Sequence, residues 1–188
     1  MHKHVDYGPL TALIGEWRGD QGIDISPEPD GTEHNPYYET IVFSPACDTD
    51  NAEEQCLVAV HYRQTVRRKS NDEVFHDQTG YWIWDAAVNK LMQSLAIPRG
   101  VCILAGSEPL TETSNGFTVS ADISNPAYTI VQSPFMQHKA KTTAYSHTLQ
   151  VHGDRLQYSQ SIMLDIYGRV FEHKDENVLQ RVANPASN

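Results

Sequence analysis

Residues 155–167 have the sequence RLQYSQSIMLDIY, in which apolar and polar side chains alternate. One face of this segment carries Leu156, Tyr158, Ile162, Leu164 and Ile166. A period of two is typical of a β-strand whose apolar face packs on a core. We therefore predict a strand here. The opposite, mixed face carries Met163 and either lines a cavity or meets water, and periodicity leaves both open.

Further β-rich runs lie on both sides of this segment, separated by turn sequences such as His152-Gly153-Asp154. Strands are predicted near residues 15–25, 36–44, 55–68, 73–85, 88–97, 100–108, 116–123, 127–133, 138–152, 155–167 and 169–182. Consecutive antiparallel strands with short connections either form a sandwich or close on themselves, and closure removes exposed strand edges. The sequence therefore predicts an all-β fold, a single closed up-and-down barrel of about ten strands.

Two segments depart from the strand pattern. Residues 8–15 carry Pro9 at the start and Gly15 at the end, which predicts a short helix that covers one mouth of the barrel. Residues 26–36 contain three prolines and are predicted to form a loop. Trp17, just after the helix, is interpreted as a packing anchor at the base of the barrel.

Composition narrows the class of protein. The 188 residues carry 24 acidic and 14 basic side chains and a net charge of −10, so one domain over residues 1–188 is expected and nucleic acid is not expected as a partner. No apolar stretch approaches the ~20 residues of a membrane span, and no membrane association is expected. The first residues lack the apolar core of a secretory signal, which predicts a cytoplasmic protein. The choice between monomer and homodimer stays open.

Common catalytic motifs are not found in the sequence. The nine histidines include no H-E-x-x-H motif, and the three cysteines include no C-x-x-C pair, so neither a zinc-enzyme site nor a disulfide framework is expected. There is no G-x-S-x-G elbow, phosphate-binding loop or dinucleotide fingerprint. The sequence therefore contains none of the motifs that usually indicate nucleophilic catalysis or nucleotide binding.

Five segments, taken in order, resemble the nitrobindin-like haem-binding β-barrels, which are similar in shape to lipocalins and fatty-acid-binding proteins. The resemblance rests on Gly15-Glu16-Trp17-Arg18-Gly19, Tyr38-Glu39-Thr40-Ile41, His76-Asp77-Gln78-Thr79-Gly80-Tyr81, Pro98-Arg99-Gly100-Val101, and Tyr158 to Met163 followed by His173 and Leu179-Gln180-Arg181. These segments are spread over most of the chain. Their order and spacing make the resemblance more specific than any one of them.

The chain also departs from the family pattern. Residues 23–37 form an insertion between motifs that run nearly together in the family, and Gln78 stands where glutamate is usual. Gln21 replaces a second glycine, and the residues after His173 are charged. The chain therefore looks like a divergent, bacterial-type branch.

The resemblance implies a function for four residues. It implies that His173 is the single protein ligand of ferric haem b, with Thr40, His76 and Met163 near the pocket. The resemblance also implies chemistry with nitrogen oxides, namely reversible binding of nitric oxide and a haem-dependent peroxynitrite isomerase activity. A neutral imidazole is a good iron ligand that leaves the other axial position open.

Each of these residues also has a structural interpretation. His173 lies between Glu172 and Lys174 and is equally compatible with a surface histidine. His76 either donates a hydrogen bond to a bound ligand or is a hydrogen-bonded polar residue of the interior. Met163 is compatible with packing alone.

Arg99, between Pro98 and Gly100, supports a second hypothesis. Its guanidinium either clamps a carboxylate, such as a haem propionate or a fatty-acid head group, or forms an ion pair at the barrel rim. The second hypothesis is therefore a haem-free carrier of an apolar anionic small molecule. A third is a barrel filled by its own side chains that acts as an interaction module.

Overall fold

The computed structural model describes residues 5–46, 48–111 and 116–183. In these ranges a 3-10 helix spans Gly8–Leu13, a helix α1 spans Pro134–Lys139, and there are twelve strands. The strands are β1 (Gly15–Glu28), β2 (Gly31–Pro45), β3 (Thr49–Asn51), β4 (Gln55–Arg68), β5 (Val74–Asp85), β6 (Lys90–Ile97), β7 (Val101–Gly106), β8 (Gly116–Asp122), β9 (Ile130–Gln132), β10 (Ala140–His152), β11 (Arg155–Ile166) and β12 (Arg169–Ala183).

Ten of these strands close into one antiparallel barrel. Their order is β2-β1-β12-β11-β10-β8-β7-β6-β5-β4, and β4 pairs again with β2. The short strands β3 and β9 pair on the outside of this path, with β4 and β7. The prediction of a closed up-and-down barrel of about ten strands is confirmed.

The 3-10 helix covers one end of the barrel, as predicted. Leu10 and Leu13 are fully buried against Trp17, whose indole Nε1 donates a hydrogen bond to the Leu13 carbonyl at 2.7 Å. The Arg181 guanidinium lies 4.0 Å from the centre of the Trp17 ring and donates to the Ile14 carbonyl. Trp17 is therefore a packing anchor, and this end of the barrel is filled by apolar side chains.

The prediction of a loop at residues 26–36 is wrong. Strand β1 continues to Glu28 and β2 begins at Gly31, so these residues form the tip of a long hairpin. Beyond Ile25, β1 has no partner in β12, and β2 pairs with β4 only from Tyr37 onward. Pro27 and Pro36 therefore lie where the strands are edges, and an edge strand tolerates a missing N–H donor, while Pro29 lies in the turn between them.

Helix α1 was not predicted. Ser133 caps it by accepting a hydrogen bond from the Met136 N–H, and Pro134 occupies the first turn. Six residues are too few for a helical periodicity to appear in the sequence. Cys56 and Cys102 are free and exposed, and Cys47 lies outside the described residues. In the part of the chain that the structure describes, no helix is long and apolar enough to cross a membrane.

Candidate functional site

A cavity of about 330 Å³ lies at the barrel end opposite the 3-10 helix. Its walls come from the β1–β2 hairpin, the β4–β5, β6–β7 and β11–β12 ends, and α1. The volume falls within the range of roughly 300 to 1,000 Å³ that is usual for small-molecule sites. The cavity is larger than the void of a few waters that the hypothesis of a filled barrel requires.

About half of the wall is apolar, and the rest is polar or charged. The aliphatic, Met, Phe and Pro residues of the lining are Pro27, Val66, Phe75, Ile97, Val101, Met136, Ala140, Ile162, Leu164 and Ile166. Ile162, Leu164 and Ile166 belong to the face of β11 that the alternation of residues 155–167 marks as apolar. That face therefore serves both the packed core and one side of the cavity.

A charged cluster lies on one side of the cavity. His173 Nε2 lies 2.8 Å from Asp24 Oδ1 and 3.3 Å from Asp175 Oδ2. His173 and Asp175 are two residues apart on β12 and therefore point to the same face, while Asp24 comes from the neighbouring strand β1. All three residues line the cavity.

The two carboxylates control the charge of His173. Burial lowers the pKa of this imidazole, but hydrogen bonds and charges from Asp175 and Asp24 outweigh burial and raise the pKa to about 9. For Asp24, burial raises the pKa, and the hydrogen bond and charge of His173 then bring it below its ordinary value. At neutral pH His173 is an imidazolium, and it must lose a proton before Nε2 can bind a metal.

His76 and Arg99 also line the cavity. His76 lies on β5 beside a β-bulge at Phe75, and its Nε2 is 3.3 Å from Gln78 Oε1. Burial lowers the pKa of His76, so its imidazole is neutral at pH 7. Arg99 is exposed in the β6–β7 turn, at the rim. The structure therefore brings three of the five predicted site residues, His76, Arg99 and His173, to one cavity.

Thr40 and Met163 lie on the other side of the barrel wall. In β2 the buried side chains are Tyr37, Glu39 and Ile41, so the alternation turns Thr40 outward. In β11 the neighbours of Met163, Ile162 and Leu164, line the cavity, so Met163 faces away from it. The structure does not bring either residue to the cavity.

Beneath the cavity lies a buried carboxyl group that the sequence analysis missed. Glu39 is 1% exposed and accepts hydrogen bonds from Tyr158 Oη at 2.9 Å, Asn177 Nδ2 at 2.8 Å and Gln64 Nε2 at 2.6 Å. Burial raises the pKa of Glu39 to about 7, although these three hydrogen bonds favour the carboxylate. Tyr158 and Gln64 line the cavity, so Glu39 is joined to the floor of the cavity.

The acidic partners of His173 were also missed. Asp175 is detectable, because a residue two positions after a candidate ligand shares its strand face. Asp24 is not detectable in this way, since 149 residues separate it from His173. Only the pairing of β1 with β12 places the two side chains together.

Comparisons with known proteins identify the family and the fold of the chain. The model of the family described as "THAP4-like, heme-binding beta-barrel domain" matches residues 6–181. A crystal structure of Rv2717c from M. tuberculosis superposes with a TM-score of 0.66 and 20% sequence identity, over 94% of this chain and 99% of that chain. At this identity the structural likeness supports the fold alone. No curated protein matches the sequence.

Proposed function

Since the chain belongs to the THAP4-like, heme-binding beta-barrel domain family, we propose that its cavity binds ferric haem b with His173 Nε2 as the iron ligand. The observation that carries the proposal is the position of His173. Its imidazole lies in the wall of a cavity that has an apolar side, at the end of the barrel that the 3-10 helix leaves open. If His173 were only a surface histidine between Glu172 and Lys174, its side chain would be expected to face solvent and not to line a cavity.

The residues around the cavity fit a haem. Aliphatic and aromatic side chains suit the flat apolar macrocycle, and Arg99 at the rim suits a propionate. Arg68, whose guanidinium lies 4.7 Å from the centre of the Phe75 ring, lines the same cavity. Before it binds iron, His173 Nε2 must lose its proton and its contacts with Asp24 and Asp175.

A bound ferric haem would supply an electrophilic iron, which suits nitric oxide and peroxynitrite as ligands. The protein side chains have separate parts in this chemistry. His76, neutral at pH 7, offers a ring nitrogen for a hydrogen bond to a small molecule in the cavity. The apolar part of the wall would keep bulk water away from the iron. Reversible nitric oxide binding and isomerisation of peroxynitrite to nitrate are the proposed activities.

Haem titration tests the proposal. The purified protein, titrated with haem, is expected to give a saturable Soret band that His173→Ala shifts and weakens at least tenfold in affinity. His61→Ala is the matched control, because His61 is a half-buried histidine that does not line the cavity and is hydrogen-bonded to Thr79 on the neighbouring strand. An unchanged spectrum in His173→Ala would remove His173 from the proposal.

The rim arginine favours a second candidate function, a carrier of an apolar small molecule with an acidic head. The observation is the exposed guanidinium of Arg99 at the mouth of a cavity that has an apolar side. Native mass spectrometry of the purified protein distinguishes a fatty acid from haem by mass. Arg99→Ala is expected to weaken fatty-acid binding about tenfold, and Arg155→Ala, at the opposite end of the barrel, is expected to have no effect. Equal affinities in the two variants would contradict the clamp.

A further inference from the structure

We propose that Asp24, His173 and Asp175 form a site for one divalent transition-metal ion, such as Zn²⁺ or Fe²⁺, bound without a porphyrin. This inference goes beyond the proposed haem binding and does not depend on it. Both metals would use the same nitrogen, His173 Nε2. The bare cation and the haem iron would therefore compete for one imidazole.

The positions of the ligand atoms support the site. One ligand atom from each of the three residues lies within 4.8 Å of the other two. Bonds of about 2.1 Å place neighbouring ligands of a tetrahedral ion about 3.4 Å apart. The distances from His173 Nε2 to Asp24 Oδ1 and Asp175 Oδ2, 2.8 and 3.3 Å, differ from this value by no more than a small side-chain adjustment.

The chemistry of the three groups suits a divalent ion. Imidazole and carboxylate are ligands that Zn²⁺ and Fe²⁺ both accept. Two carboxylates and a proton on the imidazole leave one net negative charge in a partly buried place, where the side chains of Asp24 and Asp175 are 8% and 19% exposed. A divalent ion in place of the proton makes the group neutral, which lowers the cost of burying charge.

A second observation points from the cluster to a ligand. A haem iron takes one nitrogen from the protein, and the porphyrin supplies the equatorial ligands. Haem ligation therefore gives no reason for two carboxylates at the ligating nitrogen. Here both carboxylates converge on that nitrogen, and Asp24 comes from the hairpin that the sequence carries as an insertion.

The surroundings hold Asp24 and leave the ion accessible. Asn35 Nδ2, on the paired strand β2, lies 3.4 Å from Asp24 Oδ2, the oxygen that does not face His173. Such outer contacts orient ligands in metal sites. Because all three ligands line the cavity, the remaining coordination positions face it. Three protein ligands and an open position are the pattern of a site that binds a small molecule.

Titration of the haem-free protein with Co²⁺, followed by its visible absorption bands and by competition with Zn²⁺, tests the proposal. Wild type is expected to bind one equivalent of Co²⁺, and its absorption bands are expected to indicate a low coordination number. Asp24→Asn and Asp175→Asn are each expected to weaken Co²⁺ binding at least tenfold, and His173→Ala is expected to abolish it. The matched control is Asp165→Asn, an exposed aspartate on β11, which is expected to change nothing. All proteins carry His2→Ala and His4→Ala, which removes the N-terminal histidines as ligands.

Circular dichroism and thermal unfolding establish that each variant is folded. Asp175 is more exposed than Asp24, so its variant provides an answer even if Asp24→Asn is unstable. No Co²⁺ bands in wild type, or equal Co²⁺ affinity in wild type and Asp175→Asn, would overturn the proposal.

Haem titration of the same proteins separates this proposal from the proposed function. Asp24→Asn and Asp175→Asn are expected to retain a Soret band that depends on His173, and Zn²⁺ is expected to reduce haem uptake by wild type only. If wild type binds Co²⁺ but does not bind haem, the result contradicts the proposed function alone. The reverse result contradicts the metal site alone.

Discussion

His173 Nε2 and Asp24 Oδ1 are 2.8 Å apart, although 149 residues separate them in the chain. The pair joins the last strand of the barrel to the first at the mouth of the cavity. Asp175 approaches the same nitrogen at 3.3 Å, so one imidazole neutralises part of the charge of two carboxylates. The protonation of His173 and its contacts with the two carboxylates determine whether Nε2 is available to a ligand.

The first prediction concerns the charge of His173. Asp24→Asn removes one of the two carboxylates that raise the pKa of this imidazole to about 9, so the pKa should fall toward the ordinary value of a histidine. An NMR titration of the imidazole carbons measures the change. Asp165→Asn is the control, and an unaltered titration in Asp24→Asn would contradict the role assigned to Asp24.

The second prediction concerns the pH dependence of stability through Glu39. Its pKa is raised from 4.5 to about 7, so between these values the folded protein binds more protons than the unfolded chain. Stability contributed by this group is present below about pH 4.5 and is lost as the pH rises through 7. In Glu39→Gln this loss disappears, so the variant should gain stability relative to wild type from about pH 5 to about pH 8.

Urea unfolding at a series of pH values measures this effect. The comparison uses the slope with pH and not the absolute stability, because the glutamine also changes hydrogen bonds with Gln64 and Asn177. Glu172→Gln on β12, whose carboxylate is bonded to Lys174 and Ser161, is the control. Parallel pH profiles for wild type and Glu39→Gln would show that Glu39 keeps an ordinary pKa.

The third prediction separates the two ends of the barrel. Leu13→Ala removes a fully buried side chain of the 3-10 helix and should cost about 2 to 5 kcal/mol of stability. Because the helix lies at the end away from the cavity, haem affinity of the folded variant should stay within about twofold of wild type. Denaturant unfolding and haem titration give the two quantities. A large loss of affinity in a folded variant would contradict the separation.

The fourth prediction concerns a close approach between strands. A Cβ atom added at Gly80 would lie 1.9 Å from the backbone oxygen of Ser94 on β6, so Gly80→Ala forces β5 and β6 apart. We expect a loss of about 3 kcal/mol or more, or an insoluble protein. Gly31→Ala is the control, since nothing lies within 4 Å of a Cβ there. Similar unfolding midpoints for the two variants would contradict the argument.

The fifth prediction concerns the two residues that face away from the cavity. Thr40→Val and Met163→Leu change side chains on the outer side of β2 and β11 and should leave haem affinity within about twofold of wild type. Haem titration measures this, with His173→Ala as the positive comparison. A tenfold loss in either variant would place that side chain in the site.

Much of the fold was predictable because its signals are local. Alternation within 155–167 and turn sequences such as His152-Gly153-Asp154 depend on a few neighbouring residues, and the structure places β11 and its hairpin there. The site was only partly predictable. His76, Arg99 and His173 line the cavity, but the motifs that indicated Thr40 and Met163 carry no information about which strand face turns inward.

The sequence by itself determined the strands, the closure of the barrel and the candidate imidazole, since hydrophobic alternation and turn chemistry act over short distances. The tertiary structure alone decided the partners of that imidazole. In β1 the inward side chains are Trp17 and Gly19, and a shift of register before Gly22 then turns Asp24 inward as well. A bulge inverts the alternation that follows it. The contact with His173 therefore depends on that bulge and on the pairing of the first strand with the last.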